Sequence, residues 1–240
     1  GYLLWSERFE GVFEIEWFVY AQFAAYVITA LIAFLIVLKK ASFFKPRFDL
    51  AVFRLILKES MPFALLVLLM SFYYRLDSVM VERLLIDGKY QAGVYAQAYR
   101  ILEGFNMFGY LFAGILLPIF ARMIKQNESI QKLLRTSFNL IFIPSMSVAL
   151  ISYLFPYEVM DLLYVENIEE SAEVFQILML SFIAIALSYV YGTLLTANGS
   201  LKELNLISAI GLILNLVLNL WLIPTHGAKG AAIATLFTQA

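Results

Sequence analysis

The chain has 240 residues, of which 62% are hydrophobic and only 15% charged, with a net charge of −1. A soluble domain averages about 45–50% apolar and 25% charged residues, so this sequence carries more apolar length than one soluble core can hide. Cysteine is absent and His226 is the single histidine, which excludes disulfides, thiolate metal sites and a histidine metal site within the chain; no basic patch with interleaved aromatics points to nucleic acid.

The first apolar span runs from about Trp17 to Leu38 and stops at Lys39-Lys40. A basic stretch follows, Ala41 to Lys58, in which Phe53, Ile56 and Leu57 face one way and Arg54 and Lys58 another. That pattern suits a short amphipathic helix on the membrane surface. Ser60 and Pro62 then predict a helix start, with proline in the first turn where its missing N–H costs nothing, and a second span to about Leu85. The third is expected from about Ala92 to Ala121, with Pro118 near its end. The fourth covers roughly Thr136 to Phe155 and contains Pro144. Pro156 ends it, and Tyr157 to Tyr164 suit a short interfacial turn of helix. The fifth runs from about Ala172 to Ala197 and closes at Asn198-Gly199, a helix stop signal. The sixth runs from about Glu203 to Ile223 and halts at Pro224, and a seventh opens near Gly230. A spanning helix needs about 20 residues, so the last segment reads as a helix cut short, and the chain as a fragment of a longer protein. The fold class is an all-α, polytopic transmembrane helical bundle.

The loops report orientation. Lys39, Lys40, Lys45, Arg47, Arg54 and Lys58 lie in one loop, Arg122, Lys125, Lys132 and Arg135 in the next on that side, and Lys202 in the third. The opposite side carries Glu158, Asp161, Glu166, Glu169 and Glu170 with no Lys or Arg, and the N-terminal segment is acidic as well. Basic residues mark the cytoplasmic side of short loops, so residues 1–16 are expected outside and the Lys45 loop inside.

Four charges interrupt the second and third spans: Arg75, Asp77, Arg100 and Glu103. Folded about the turn signal Ile86-Asp87-Gly88-Lys89, Asp77 is expected level with Arg100 and Arg75 with Glu103. A charge at the bilayer centre costs about 2.5–3.5 kcal/mol by insertion scales, so such ions face protein or a water-filled cavity. Two readings stand: a polar transport cavity, or an ion-pair latch between helices. With the third span starting near Ala92, Arg100 sits about 12 Å in from the outer end at 1.5 Å per residue. Asn215 and Asn219, four apart on one helix face, either line the cavity or hydrogen-bond a neighbouring helix. Tyr74, Tyr99, Tyr189 and Tyr191 either stack on sugar rings or anchor helices at the interface. Gly104 and Gly109 flank Asn106 and permit close helix approach or a bend.

The segment Tyr73-Tyr74-Arg75-Leu76-Asp77-Ser78-Val79-Met80, followed by Ala92-Gly93-Val94-Tyr95-Ala96-Gln97-Ala98-Tyr99-Arg100-Ile101-Leu102-Glu103, resembles the second-half opening of bacterial polysaccharide flippases. These are the O-antigen and teichoic-acid exporter type, within the MOP superfamily that also holds MATE multidrug transporters and lipid II flippases. Gly192-Thr-Leu-Leu-Thr-Ala-Asn-Gly199 resembles the helix end before the family's last helix pair. Ile213 to Thr235, with Asn215, Asn219, Pro224, Gly227 and Gly230, is similar to the repeated hairpin of that superfamily.

The resemblance implies a MATE-like fold of two six-helix lobes around a central cavity, present here as a partial chain. Residues 1–40 would be an outer segment and the last helix of the first lobe, 41–60 the basic cytoplasmic inter-lobe linker, and 61–240 most of the second lobe. It implies a flippase, not an enzyme, that moves polyprenyl-pyrophosphate-linked oligosaccharide from the inner to the outer leaflet of a bacterial cytoplasmic membrane by alternating access. Polysaccharide assembly enzymes would be its partners beside the lipid bilayer. By position and chemistry, which the family's pattern does not fix, Arg75 and Arg100 are expected to meet the pyrophosphate through charge-assisted hydrogen bonds. Asp77 and Glu103 would hold those arginines or bind a coupling H+ or Na+; no other cofactor and no metal centre are expected. The substrate and cavity candidates are therefore Tyr74, Arg75, Asp77, Tyr99, Arg100, Glu103, Asn106, Asn215 and Asn219. Rival readings are a MATE-type multidrug or cation antiporter, a membrane-embedded polysaccharide polymerase or ligase, and a non-transporting scaffold with the charges as latches.

Overall fold

A computed structural model describes residues 16–40 and 49–239. They form seven helices: α1 (Glu16–Lys40), α2 (Leu50–Leu84), α3 (Gly88–Lys125), α4 (Gln131–Leu154), α5 (Pro156–Leu163), α6 (Ile168–Ala197) and α7 (Leu201–Gln239). All but α5 are long and apolar enough to cross a bilayer. The chain divides into two compact units, residues 1–54 and 55–240. The first contains α1, which is mostly apolar between Glu16 and the pair Lys39 and Lys40 in its last turn.

In the second unit α6 lies at the centre, with α3, α4, α5 and α7 packed on it. Its side chains Phe175, Leu178, Met179, Phe182, Ile185 and Val190 are buried. The core is completed by Val94, Tyr95, Ala98 and Leu102 of α3 and by Ala228, Ala231 and Ala232 of α7. Outward positions such as Leu111, Ile115, Ile143, Ile213 and Trp221 are exposed and apolar. In water such a surface would drive association; with lipid as solvent it is the expected one, and the protein is a multi-pass membrane protein.

Three of the boundaries that differ from the sequence expectation bear on the packing of the polar residues. The second helix starts at Leu50, not near Ser60, because Asp49 caps it: its Oδ1 accepts the N–H groups of Ala51 (2.8 Å) and Val52 (3.3 Å). Residues 50–58 are thus the opening turns of α2 and not a separate surface helix, while the remainder of that expected helix, 41–48, lies outside the described residues. Pro62 sits inside α2, and its carbonyl accepts Asn205 Nδ2 from α7 at 2.9 Å. Second, α3 begins at Gly88, four residues before the expected Ala92. Third, α7 breaks at Gly227 and not at Pro224. Gly227 takes φ 60°, ψ −140°, a region that favours glycine. The chain reverses so sharply there that a side chain on Gly230 would collide with the Leu222 carbonyl. The expected short helix after Pro156 is present as α5.

Candidate functional site

Of the four membrane charges, Asp77 alone is buried, with 3% of its surface exposed. No arginine meets it. Its Oδ2 accepts the Tyr95 hydroxyl at 2.8 Å and the Thr235 hydroxyl at 2.5 Å, and its Oδ1 accepts Asn219 Nδ2 at 2.6 Å. The Asn219 amide also donates to Asn215 Oδ1 at 3.0 Å, and both asparagines are wholly buried. This cluster ties α2 and α3 to the helical segments on both sides of the Gly227 break. A buried carboxylate is sustained where donors replace its water, and hydrogen bonds to a charged group are worth about 1.5–3 kcal/mol each.

The expected pairs Asp77–Arg100 and Arg75–Glu103 do not form: Arg75, Arg100 and Glu103 are exposed. Among the described residues, the ion pair is Lys229–Glu173, at the end of the bundle near the Gly227 break. The reason lies in register. The turn centres on Ile86, so Asp77 and Tyr95, each nine residues from it, come opposite one another, and Arg100 lies more than a turn further on. Arg100 is also two residues from the buried Ala98 and Leu102, about 200° round the helix from each at 3.6 residues per turn. With α3 starting at Gly88, Arg100 is about 18 Å from that helix end, deeper than expected.

Four of the other candidates, Tyr74, Tyr99, Glu103 and Asn106, gather with Met107, Tyr110 and Tyr189 in a pocket of about 310 Å³, and Arg75 and Arg100 are not among its lining residues. Arg100 precedes Glu103 by three residues on the same face of α3. A small cavity of about 10 Å³, bounded by Tyr74, Tyr99, Asn106, Asp77 and Thr235 among others, separates this pocket from the buried carboxylate; that is about the room of one water. Tyr99 stacks on Tyr95, the donor to Asp77, with ring centroids 5.6 Å apart. The pocket and the Asp77 cluster are therefore in physical contact.

Among the tyrosines named from sequence, Tyr191 does not join the pocket. It is exposed and sets its ring edge-on to Phe138. Sequence reading missed Tyr95, Thr235 and Tyr110. Tyr95 and Thr235 read as ordinary helix residues until the turn centre and the Gly227 break are known. Tyr110 was legible, being four residues from Asn106 and seven from Glu103 on one helical face. Of the two glycines beside Asn106, Gly104 has open space where a side chain would be, whereas Gly109 lies against the ring of Tyr189.

Residues 9–124 match the polysaccharide biosynthesis protein family. The fold matches a MOP superfamily transporter from Pyrococcus furiosus with a TM-score of 0.57 at 20% identity, over 75% of this chain. The match to that family covers just under half of the chain, and the fold is that of the Pyrococcus transporter. The chain spans 40% of the length of the Pyrococcus transporter. No curated protein matches the chain. The six apolar helices and the all-helical fold are those expected, and the polar residues of α2, α3 and α7 divide into a buried acid cluster and a tyrosine-lined pocket.

Proposed function

We propose that this protein acts as a flippase, moving polyprenyl-pyrophosphate-linked oligosaccharide from the inner to the outer leaflet of a bacterial cytoplasmic membrane. The observation that carries the reading is the tyrosine pocket about mid-span on α3, flanked by Arg100 and touching a buried carboxylate, in a chain whose residues 9–124 match the polysaccharide biosynthesis family. Arg100 beside the pocket offers a cation for pyrophosphate and the pocket offers aromatic faces for sugar, while the exposed apolar flanks of the helices leave the polyprenyl tail in lipid. Arg75 and Glu103 stay in the proposal as cavity groups on exposed faces. Polysaccharide assembly enzymes are the proposed source of the substrate and consumers of the product.

Transport needs no covalent step, only two states whose balance substrate or ions shift. Asp77 is the proposed coupling acid. Its surroundings are all hard oxygen or amide groups, and Asn219 Oδ1 is buried without a hydrogen-bond partner, a set that fits H+ or Na+. The cation would neutralise the carboxylate, and Tyr95, Thr235 and Asn219 would then exchange their bonds to it. The test uses the full-length protein in liposomes with a polyprenyl-pyrophosphoryl oligosaccharide and a membrane-impermeant glycosidase. Protein is expected to raise the cleavable fraction towards completion, and Asp77→Asn to remove any response to a Na+ or pH gradient. A cleavable fraction pinned at the outer-leaflet share would sink the flippase reading.

One observation favours a second reading. Glu103 in a ring of tyrosines also suits an organic cation, as in a MATE-type antiporter. Uptake of a lipophilic cation into the same vesicles, with no effect on the glycolipid, would select it.

A further inference from the structure

The pocket is unusual in its charge. Four tyrosines, Tyr74, Tyr99, Tyr110 and Tyr189, surround a space in which Glu103 is the only ionisable side chain that is not a phenol. Among the described residues no cation lies within ion-pair distance of it, although Arg100 is only one turn away. A neutral sugar can be held by hydroxyl and amide partners alone, without a charged group at membrane depth. A carboxylate held at membrane depth costs several kcal/mol by insertion scales of about 2.5–3.5, and aromatic faces add attraction for a cation within about 6 Å of the ring centre. Asn106 places a second acceptor in the same wall, its Oδ1 buried and without a partner.

The order of groups along α3 sharpens this. Arg100 and Glu103 stand three residues apart, about 4.5 Å along the axis. In a sugar pyrophosphate the anomeric oxygen bears the phosphate, and a nitrogen on the adjacent carbon is three bonds from that oxygen, a separation comparable to the rise between the two side chains. An anion at Arg100 and a cation at Glu103 therefore match a single sugar ring that carries both.

Resting on the flippase reading above, we propose that the tyrosine pocket is a subsite for the sugar next to the pyrophosphate, and that it selects a ring bearing a protonated amine, with Glu103 as counter-ion and Asn106 Oδ1 as a second acceptor. Tyr99 and Tyr189 supply the faces on which the ring packs.

The test measures binding of three short-chain prenyl pyrophosphates to the full-length protein in micelles by titration calorimetry at pH 6. One carries glucosamine, one N-acetylglucosamine, and one no sugar. The glucosamine compound is expected to bind about tenfold more tightly than the N-acetyl compound. Glu103→Gln is expected to erase that difference and leave the N-acetyl compound unchanged. Tyr99→Ala with Tyr189→Ala should weaken both sugar compounds and spare the sugarless one, which also shows that the variant is folded. Equal binding of the two sugar compounds, or an equal loss for both in Glu103→Gln, overturns the subsite while the flippase reading stands. If none of the three pyrophosphates binds but tetraphenylphosphonium does, the flippase reading falls and takes the subsite with it.

Discussion

At Asp77 the stakes are those of a buried charge. Three donors hold it, from Tyr95, Thr235 and Asn219, and removing one leaves a carboxylate oxygen short of a bond in a place water scarcely reaches. Asn219→Leu is expected to destabilise the protein by about 1–3 kcal/mol, read by unfolding in mixed micelles. Combined with Asp77→Leu it should cost clearly less than the two single changes added, since no charge then remains to be satisfied. Strict additivity would show that the two side chains do not act as a unit. Gly109 makes a different kind of claim. A Cβ there would stand 2.5 Å from Tyr189 Cδ2, so Gly109→Ala must push α3 from α6 or turn the ring out. The expected loss is about 1–3 kcal/mol by overpacking, whereas Gly104→Ala, with open space, should be neutral or slightly stabilising.

At the scale of elements, α7 is two helical segments joined at a reversal, and Gln91 holds the joint. Its Oε1 accepts the Ala228 N–H at 3.1 Å, and its Nε2 approaches Glu170 Oε2 at 3.4 Å. Gly227 needs its positive φ, and a Cβ there would also press on Gln91 Oε1 at 2.9 Å. Gly227→Ala is therefore expected to lower stability by about 1–3 kcal/mol and to displace Thr235 from Asp77, because Thr235 lies only eight residues beyond the break. Thermal unfolding of the variant checks the first part. An unchanged midpoint would mean that the reversal tolerates an L-residue and is not strained by it.

The whole molecule presents two kinds of recess on α3. Met107 is exposed and faces the tyrosine pocket, while Phe105 faces an apolar groove of about 340 Å³ between α3 and α4 and packs on Phe182. With no native cysteine in this chain, single cysteines discriminate the two. In the full-length protein, otherwise cleared of cysteine, Met107→Cys is expected to react with a membrane-impermeant maleimide and Phe105→Cys to stay unlabelled. Silence at both positions, under conditions favouring either open state, would return Arg100 and Glu103 to a structural role.

The number, order and approximate ends of the apolar helices were determined by the sequence itself. Length, hydropathy and stop signals such as Pro156 and Asn198-Gly199 are local properties and need no neighbour to act. So too was the exceptional standing of Asp77, because a carboxylate in an apolar run has a cost wherever it folds. Its partners were another matter. Moving the start of α3 from Ala92 to Gly88 shifts the register by about a turn, which replaces Arg100 with Tyr95 opposite Asp77. Thr235, 158 residues from Asp77 in sequence, reaches the same carboxylate only because the chain doubles back at Gly227. Pairing across helices depends on where a turn centres to within one or two residues and on which third helix closes over it. Those quantities are set by packing around α6, so the tertiary structure alone decided that an acid cluster, and not an ion-pair ladder, lies beneath the pocket.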